Sequence, residues 1–198
     1  MTRGSGEPLI WETGACVGAG GIRYPVVDGV PRFVSDENYA KSFGEQWIRF
    51  PKTQLDSHTG IQLSANRLER CLRRDLGSLN GQVVLEAGSG AGRFTEVLLS
   101  HGATVDSFDY SDAVVANASN NGNHPNLCLA QADIRKIPFP KASYDLVICL
   151  GVIQHTPDPE ESLTSLWSHV CPGGRLVFDH YRMKLRNYLP PPLGVAGL

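Results

Sequence analysis

The chain is predicted to adopt an α/β fold in which helices flank a doubly wound, mostly parallel sheet. Residues 83–98 indicate a strand, a glycine-rich loop and a helix, because β-prone apolar residues give way to apolar residues at helical spacing. Residues 146–150 form an uninterrupted apolar run, as expected of a parallel strand that is buried on both faces. Parallel strands require long crossovers, which the intervening helical patterns supply.

The composition indicates one full domain with a small appendage. The 198 residues are 41% hydrophobic and carry a formal net charge of -2 without a long basic run, so neither a nucleic-acid nor a membrane partner is expected. No apolar run is long enough to cross a bilayer, and residues 1–20 lack the pattern of a secretory signal. The five cysteines are far apart and form no Cys-x-x-Cys pair, which predicts reduced thiols in a cytoplasmic protein and no metal site.

The N-terminal part contains a predicted hairpin. Residues 1–21 are glycine-rich with little periodicity, and we expect poor order at their start. The β-prone runs 22–27 and 30–34 flank Asp28-Gly29, a dipeptide that favours a hairpin turn.

Four aromatic residues share one face of a predicted helix between residues 38 and 58. Packing against the main domain is favoured for Phe43 and Phe50, because aromatic stripes usually belong to a core. A second interpretation stays open for Tyr39 and Trp47, in which the helix lies over a ligand cleft and excludes water.

A second helix is predicted over Ser64–Leu76. Ser64 is the expected N-cap, and Gly77 lies just past the predicted end. The arginines of this segment are interpreted as a solvated face.

The predicted ligand site is centred on three alternating glycines, Gly88, Gly90 and Gly92. Such glycines allow left-handed backbone and leave no Cβ between the loop and a ligand. An ordinary turn also contains glycines, but this spacing, together with Glu86 at the strand end, exceeds what a turn needs. A dinucleotide fingerprint would have its third glycine at position 93, where this chain has Arg93.

The pattern Glu86-x-Gly88-x-Gly90-x-Gly92 resembles the first motif of class I S-adenosyl-L-methionine-dependent methyltransferases, of the small-molecule, type 11 kind. The resemblance covers about residues 82–180 and implies a Rossmann-like fold with S-adenosyl-L-methionine as cofactor. It also implies that the loop wraps the methionine end of the cofactor and that Glu86 helps to hold the amino group.

A carboxylate at the end of the second strand extends the predicted site. Asp109 lies 21 positions after Gly88, the interval at which such folds place a carboxylate against ribose hydroxyls. Asp106 is the competing candidate, but it precedes Phe108 inside the strand, whereas ligands bind at the carboxyl ends of strands.

The third strand, residues 127–132, ends in Asp133-Ile134. The resemblance places this aspartate near the adenine amino group and the next residue along the adenine ring. The alternative is that Asp133 caps the turn that follows.

The fourth strand leads through Leu150 and Gly151 to Gln154 and His155, at the rim where the methyl group must sit. Methyl transfer from a sulfonium depends mainly on positioning, and a base is needed only if the acceptor must lose a proton. His155 is the candidate base and Gln154 the candidate to orient the acceptor, although His155 bonded to backbone at a helix entry is an equal alternative. The Asn/Asp-Pro-Pro-aromatic motif of base-amine methyltransferases is absent from this sequence, which favours a small-molecule acceptor.

The C-terminal part predicts a helix from Pro159 to Val170, capped by Asp158, and a fifth strand at 175–178. The family would add two more strands, which this sequence lacks. We therefore expect either a fragment or an edge of the fifth strand covered by the tail or by another chain, such as a homodimer partner.

Residues 24–33 resemble the end of a small zinc-ribbon module that precedes some bacterial methyltransferases. Such ribbons carry two cysteine pairs, whereas this segment retains only Cys16. The resemblance therefore implies a degenerate remnant without zinc.

The predicted division is a ribbon remnant or hairpin at 1–36, a helical cap at 37–78, a cofactor-binding methyltransferase core at 79–181 and a proline-containing tail at 182–198. The predicted function is methylation of a small molecule at oxygen, nitrogen or carbon. The alternatives are a cofactor-binding protein without turnover and an NAD(P)-dependent oxidoreductase. The predicted cofactor-binding residues are Glu86, Ala87, Gly88, Gly90, Gly92, Asp109, Tyr110, Asp133, Ile134, Leu150 and Gly151.

Overall fold

The computed structural model describes residues 10–17, 21–34, 47 and 49–180, and these contain two β-sheets. The strands are β1 (Ile10–Glu12), β2 (Ala15–Val17), β3 (Arg23–Val27), β4 (Val30–Pro31), β5 (Val83–Ala87), β6 (Thr104–Asp109), β7 (Leu127–Gln131), β8 (Tyr144–Cys149) and β9 (Val170–Phe178). The helices are α1 (Asp56–Thr59), α2 (Leu63–Leu72), α3 (Arg93–Ser100), α4 (Ala113–Asn121) and α5 (Pro159–Trp167), with 3₁₀ turns at Leu76–Leu79 and Ile153–His155.

The larger sheet has the strand order β7-β6-β5-β8-β9, and its four strand pairs are all parallel. The chain runs from β5 outward to β7 and then returns to the other side of β5 with β8. This reversal creates a topological switch point beside β5, where sheets of this kind bind ligands. The predicted doubly wound, Rossmann-like α/β fold is confirmed.

The parallel sheet separates two apolar clusters. Val84 and Leu85 are neighbours in β5 and are both fully buried, yet Val84 packs with Leu68 and Leu98, whereas Leu85 packs with Phe108. Successive residues of a strand point to opposite faces, so a sheet covered on both sides needs apolar residues at every position. This is why residues 146–150, in and directly after β8, form a continuous apolar run.

The smaller sheet, β1 to β4, is antiparallel. The predicted hairpin is present, and Asp28 (φ 51°) and Gly29 (φ 77°) both take the left-handed backbone that its two-residue turn requires. The hairpin of β1 and β2 was not predicted, although Gly14 (φ 74°) occupies its turn. The start of residues 1–21, where poor order was expected, lies outside the described residues.

The small sheet is fixed to the edge of the large one at β7. The Phe33 backbone N–H donates to the Gln131 carbonyl at 2.8 Å, and Arg32 Nη1 donates to Gln131 Oε1 at 2.6 Å. Arg32 also lies 3.6 Å from Asp112, at the start of α4. These contacts cover the carboxyl end of the free edge of β7.

Helix α2 differs from its prediction at both ends. It ends at Leu72, because Arg73 (φ 53°) takes a left-handed conformation. Ser64 is not its N-cap, since Ser64 lies inside the helix and its backbone N–H donates to Asp56 Oδ1 at 2.9 Å. The Ala65 N–H donates to the other oxygen of Asp56 at 2.8 Å, so this helix is capped by a residue of α1.

Two further predictions need correction. Phe50 is 54% exposed and does not pack into the core, while Tyr39 and Phe43 lie outside the described residues. Helix α5 begins as predicted, because Asp158 accepts a hydrogen bond from Glu161 N–H at 2.9 Å, but it ends at Trp167. Val170 already belongs to β9, which is longer than predicted.

Candidate active site

A cavity of about 350 Å³ lies at the carboxyl ends of the parallel strands. Its lining includes Gly88 after β5, Asp109 at the end of β6, Ala132 after β7 and Leu150 after β8. Trp47 also lines it, as the second interpretation of the aromatic stripe proposed. The cavity therefore occupies the switch point of the sheet.

The glycine loop satisfies its own backbone donors within the protein. The N–H groups of Gly88 and Ser89 donate to the Phe108 carbonyl at 2.8 and 3.1 Å. The Gly90 N–H donates to Asp109 Oδ2 at 2.8 Å, and the Gly92 N–H donates to the Ser89 carbonyl at 3.0 Å. A dinucleotide-binding loop instead directs such donors at a pyrophosphate. This loop is consequently not built as a phosphate cradle.

Glycine is needed at the three positions of the loop for different physical reasons. A Cβ on Gly88 would clash with the Val152 side chain, and a Cβ on Gly92 would clash with Asn117 of α4. A Cβ on Gly90 would meet only Trp47 Nε1, at 3.9 Å, within the cavity. Gly90 thus leaves space for a ligand, whereas Gly88 and Gly92 allow neighbouring elements to approach the loop.

Asp109 lies between the glycine loop and the start of the next crossover. Its Oδ2 accepts from Gly90, and its Oδ1 accepts from the Ser111 N–H at 2.8 Å and the Ser111 hydroxyl at 2.7 Å. Burial raises the pKa of Asp109, and the hydrogen bonds from Ser111 and Gly90 oppose that rise. A backbone hydrogen bond from Tyr110 also lowers this pKa, so the roughly four acceptor positions of the carboxylate all have donors, and a ligand hydroxyl would have to replace or share one of them.

Glu86 lies beneath the loop and does not line the cavity. Its Oε2 accepts from the hydroxyls of Thr95 and Ser107, and Asn117 Nδ2 donates to the Thr95 hydroxyl at 2.9 Å. Burial raises the pKa of Glu86 to about 7, although the two hydroxyl donors lower it. Its Oε1 is buried without a hydrogen-bond partner in the described structure.

Arg67 corrects the interpretation of the arginines of α2 as a solvated face. It lines the cavity and forms an ion pair with Asp179, which follows β9. Asp179 also accepts a hydrogen bond from the Gly151 N–H. The ends of β8 and β9 are thereby joined to α2 at the rim of the cavity.

The structure brings most predicted site residues together. The predicted residues that line the cavity are Gly88, Gly90, Asp109, Tyr110, Ile134, Leu150, Gly151 and His155. The predicted residues outside its lining are Glu86, Ala87, Gly92, Asp133 and Gln154.

Asp133 forms the alternative that the sequence left open, a cap of the following turn. It accepts from the Arg135 backbone N–H at 2.9 Å and from Arg135 Nη2 at 2.7 Å. Although burial alone would raise the pKa of Asp133, the hydrogen bonds and charge of Arg135 lower it. Ile134, the next residue, is buried and does line the cavity.

Gln154 and His155 lie in the 3₁₀ turn that follows β8. His155 lines the cavity between Val152 and Thr156, at the rim where it was expected. Gln154 is 9% exposed, and neither atom of its amide has a hydrogen-bond partner in the described structure.

Sequence reasoning missed the residue that joins the N-terminal segment to the glycine loop. Asn120 Nδ2 donates to the carbonyls of Ala91 and Pro51, both at 2.9 Å. Asn121 Nδ2 donates to the Gly92 carbonyl at 3.2 Å. The available signal was the helical spacing of Asn117, Asn120 and Asn121, which places three amides on one face.

No described helix has both the length and the apolar character needed to cross a bilayer. No group of three His, Cys, Asp or Glu side chains in the described ranges is arranged to hold a metal ion.

Residues 85–178 match a protein-family model described as a methyltransferase domain. Over this segment the chain is similar to methyltransferase domains. The match begins within β5 and ends at the last residue of β9, so it includes the glycine loop, Asp109 and the rim after β8.

Curated methyltransferases are among the relatives of the chain. The chain is 29% identical over 114 residues to the ubiquinone biosynthesis O-methyltransferase of Coxiella burnetii, a match that covers 57% of this chain and 49% of that protein. It is 30% identical over 126 residues to the Pseudomonas putida enzyme of the same name, covering 61% and 52%. The chain spans about half the length of these curated relatives.

A solved structure extends the similarity to a liganded protein. The N-methyltransferase NodS of Bradyrhizobium japonicum, in complex with S-adenosyl-L-homocysteine, superimposes with a TM-score of 0.51 at 25% identity. The match covers 58% of this chain and 60% of NodS. Over the matched residues the chain therefore shares the fold of NodS, whose structure contains the compound that remains after the methyl donor has lost its methyl group.

Proposed function

We propose that this protein transfers a methyl group from S-adenosyl-L-methionine to a small-molecule acceptor at oxygen, nitrogen or carbon. The observation that carries this proposal is the hydrogen bond from the Gly90 N–H to Asp109 Oδ2 at 2.8 Å. This bond engages a loop N–H that a pyrophosphate would otherwise receive, so the site favours a ligand without a phosphate at this position. The names of the O-methyltransferase relatives support the same activity.

The residues of the cavity fit this cofactor. Asp109 would accept from the ribose hydroxyls, and Tyr110 and Ile134 would lie along the adenosine. The open space above Gly90 would take the methionine end, beside Leu150 and Gly151. When bound, the cofactor supplies an electrophilic methyl group on a sulfonium.

The other predicted cofactor residues take indirect roles in this proposal. Ala87 is buried at the end of β5, and Gly92 gives Asn117 room to reach Thr95. Glu86 would support the loop from below by accepting the hydrogen bond of the Thr95 hydroxyl in α3. Asp133 would act on the adenine only if it exchanged its bonds to Arg135, so we assign it to the turn.

The chain's own contribution to catalysis would be positioning and proton transfer. The rim after β8 would hold the acceptor, with His155 as general base if the acceptor must lose a proton. Gln154 would orient the acceptor or the rim itself, because its buried amide retains unused donor and acceptor capacity.

Two measurements test the proposal. Calorimetry should show binding of S-adenosylhomocysteine and no binding of NAD. Transfer of labelled methyl from the cofactor should then be followed across a panel of phenols, amines and carboxylic acids. Binding of NAD alone would overturn the proposal, and cofactor binding with no transfer to any acceptor would favour a binding protein without turnover.

The assembly is a separate part of this proposal. In the described structure β9 pairs with β8 on one side only, so its other edge offers backbone groups for pairing. We assign that edge to a homodimer contact. Sedimentation velocity should show a dimer, and a monomer at tens of micromolar protein would contradict this assignment.

The proposal also includes the origin of the N-terminal module and the cellular location of the protein. The small antiparallel sheet around the fully buried Cys16 would be the ribbon remnant, preceding a cap at 37–78 and a core at 79–181. The five cysteines are all free thiols, which supports a reducing compartment such as the cytoplasm. Zinc found in the purified protein by elemental analysis would contradict a ribbon that has lost its metal.

A further inference from the structure

We propose that Arg93, the first residue of α3, binds a carboxylate of the ligand in this cavity. The inference rests on the proposed function and adds an anion-binding residue to it. Arg93 is also the residue that stands where a dinucleotide fingerprint has its third glycine.

Arg93 forms no ion pair within the described structure, although the carboxylate of Asp56 lies near enough to act on its charge. Arg67 and Arg93 both line the cavity, and Arg67 is paired with Asp179. The hydrogen bonds of Arg93 go only to neutral groups, the Ser64 hydroxyl at 3.2 Å and Gln54 Oε1 at 3.3 Å. The four ion pairs of the described residues do not include Arg93.

Burial makes this unpaired charge costly. The Arg93 side chain is half-buried, and that burial, together with the neighbouring charge of Arg67, lowers its pKa more than the charge of Asp56 raises it. An arginine stays charged in proteins, so it cannot relieve the cost by losing its proton. A ligand anion that reaches it would supply the missing partner.

The guanidinium is held in a fixed position with donors left over. Its Cζ lies 4.8 Å from the centre of the buried Phe94 ring, while the Arg67 Cζ lies 5.6 Å from the same centre. Arg93 Nε is bonded to Ser64, which is fully buried, and Nη2 has no hydrogen bond to a described residue. A planar guanidinium with free N–H groups is suited to a carboxylate.

The carboxylate could belong to the amino-acid end of the cofactor or to the methyl acceptor. Both would reach the cavity, and the chemistry of recognition is the same. The two sources can be distinguished, because a substitution of Arg93 should weaken the binding of the cofactor in the first case and of the acceptor in the second.

The test compares Arg93→Gln with Arg70→Gln, which removes the same charge from an exposed position of α2 outside the cavity lining. Calorimetry is performed with S-adenosylhomocysteine, with its decarboxylated analogue, and with benzoate in the presence and absence of S-adenosylhomocysteine. Thermal unfolding of each variant reports any loss of folding. Arg93→Lys keeps the charge without the fork and should retain part of the affinity.

If the cofactor supplies the carboxylate, Arg93→Gln should weaken S-adenosylhomocysteine binding by about tenfold or more and leave the decarboxylated analogue unchanged. If the acceptor supplies it, benzoate binding should fall by a similar factor and S-adenosylhomocysteine binding should not. Arg70→Gln should alter neither.

The proposal is overturned if Arg93→Gln and Arg70→Gln have equal affinities for all three probes. It is also overturned if Arg93→Gln weakens S-adenosylhomocysteine and its decarboxylated analogue by the same factor. Failure of the proposed function gives a different result, in which wild-type protein binds neither nucleoside, and the benzoate measurement without S-adenosylhomocysteine then decides the role of Arg93 alone.

Discussion

The backbone N–H of Gly90 donates to the carboxylate of Asp109 across 2.8 Å, which joins the glycine loop to the end of the neighbouring strand. Replacing Asp109 by Ala should weaken S-adenosylhomocysteine binding by about 1–3 kcal/mol, because the ribose hydroxyls and the loop lose a shared acceptor. Calorimetry measures the loss. The control is Asp106→Ala, which removes the acceptor of the Tyr144 hydroxyl and should reduce stability without changing affinity. Equal affinities of the two variants would remove Asp109 from the site.

Gly90 should be sensitive through ligand binding more than through folding. Gly90→Leu places a side chain in the open space beside Trp47 and should abolish binding of S-adenosylhomocysteine. Gly60→Leu is the matched control, since Gly60 (φ +71°) also has left-handed backbone and open space around it, outside the cavity lining. Both variants should lose about 1–2 kcal/mol of stability from backbone strain, and only Gly90→Leu should lose the ligand.

Glu86 should make stability depend on pH. Its pKa rises from 4.5 in the unfolded chain to about 7 in the folded protein, so the folded state holds the proton more tightly. The stability that protonated Glu86 contributes is therefore fully present below the pKa of the unfolded chain, and it is lost as the pH rises through the pKa of the folded protein. Relative to Glu86→Gln, the wild type should lose about 3 kcal/mol between pH 4.5 and 7, which is the shift converted at 1.36 kcal/mol per unit. Denaturant unfolding of both proteins across that range measures it, and parallel curves would contradict the buried carboxyl.

Asn120 should be a positioning residue for the N-terminal segment. Asn120→Ala removes the bonds to the carbonyls of Pro51 and Ala91, so trypsin should cleave faster after the exposed Lys52. Binding of S-adenosylhomocysteine should weaken by about 1–3 kcal/mol, because the carbonyl of the loop is left unpaired. Ser119→Ala, at an exposed position of the same helix, should leave cleavage and binding unchanged.

His155 should affect turnover and leave cofactor binding intact. If it removes a proton from the acceptor, His155→Ala should lower kcat by about 100-fold or more with unchanged affinity for S-adenosylhomocysteine. His58→Ala, at an exposed position of α1, is the control. An unchanged kcat would assign His155 to the structure of the 3₁₀ turn.

The order of strands and helices along the chain and the position of Asp109 at the end of a strand could be predicted from the sequence, because they follow from local periodicity and from a fixed interval along the chain. It did not decide which way a strand-end carboxylate faces. Asp109 and Asp133 both end strands, yet Asp133 is bonded to Arg135, two residues further on, and Asp109 faces the loop. Such differences depend on which hydrogen-bond donors the fold places beside each carboxylate.

Long-range pairing explains the remaining errors. Arg67 is one of two arginines in α2, and it differs from the exposed Arg70 because Asp179 lies opposite it, 112 positions away in the chain. Gly92 was assigned to the ligand, yet its missing side chain makes room for Asn117, 25 positions on. Neither relationship has a signature within a short window of sequence.

The joint at Arg32, Phe33 and Gln131 has a consequence for how this protein should be produced in the laboratory. A shortened version that starts at residue 37 would lack the pairing of Arg32 and Phe33 with β7, and the Gln131 carbonyl would be free to accept a hydrogen bond from a second molecule. Such a version should form insoluble material on concentration even though every catalytic feature is retained, so the leading module acts as a built-in solubility device.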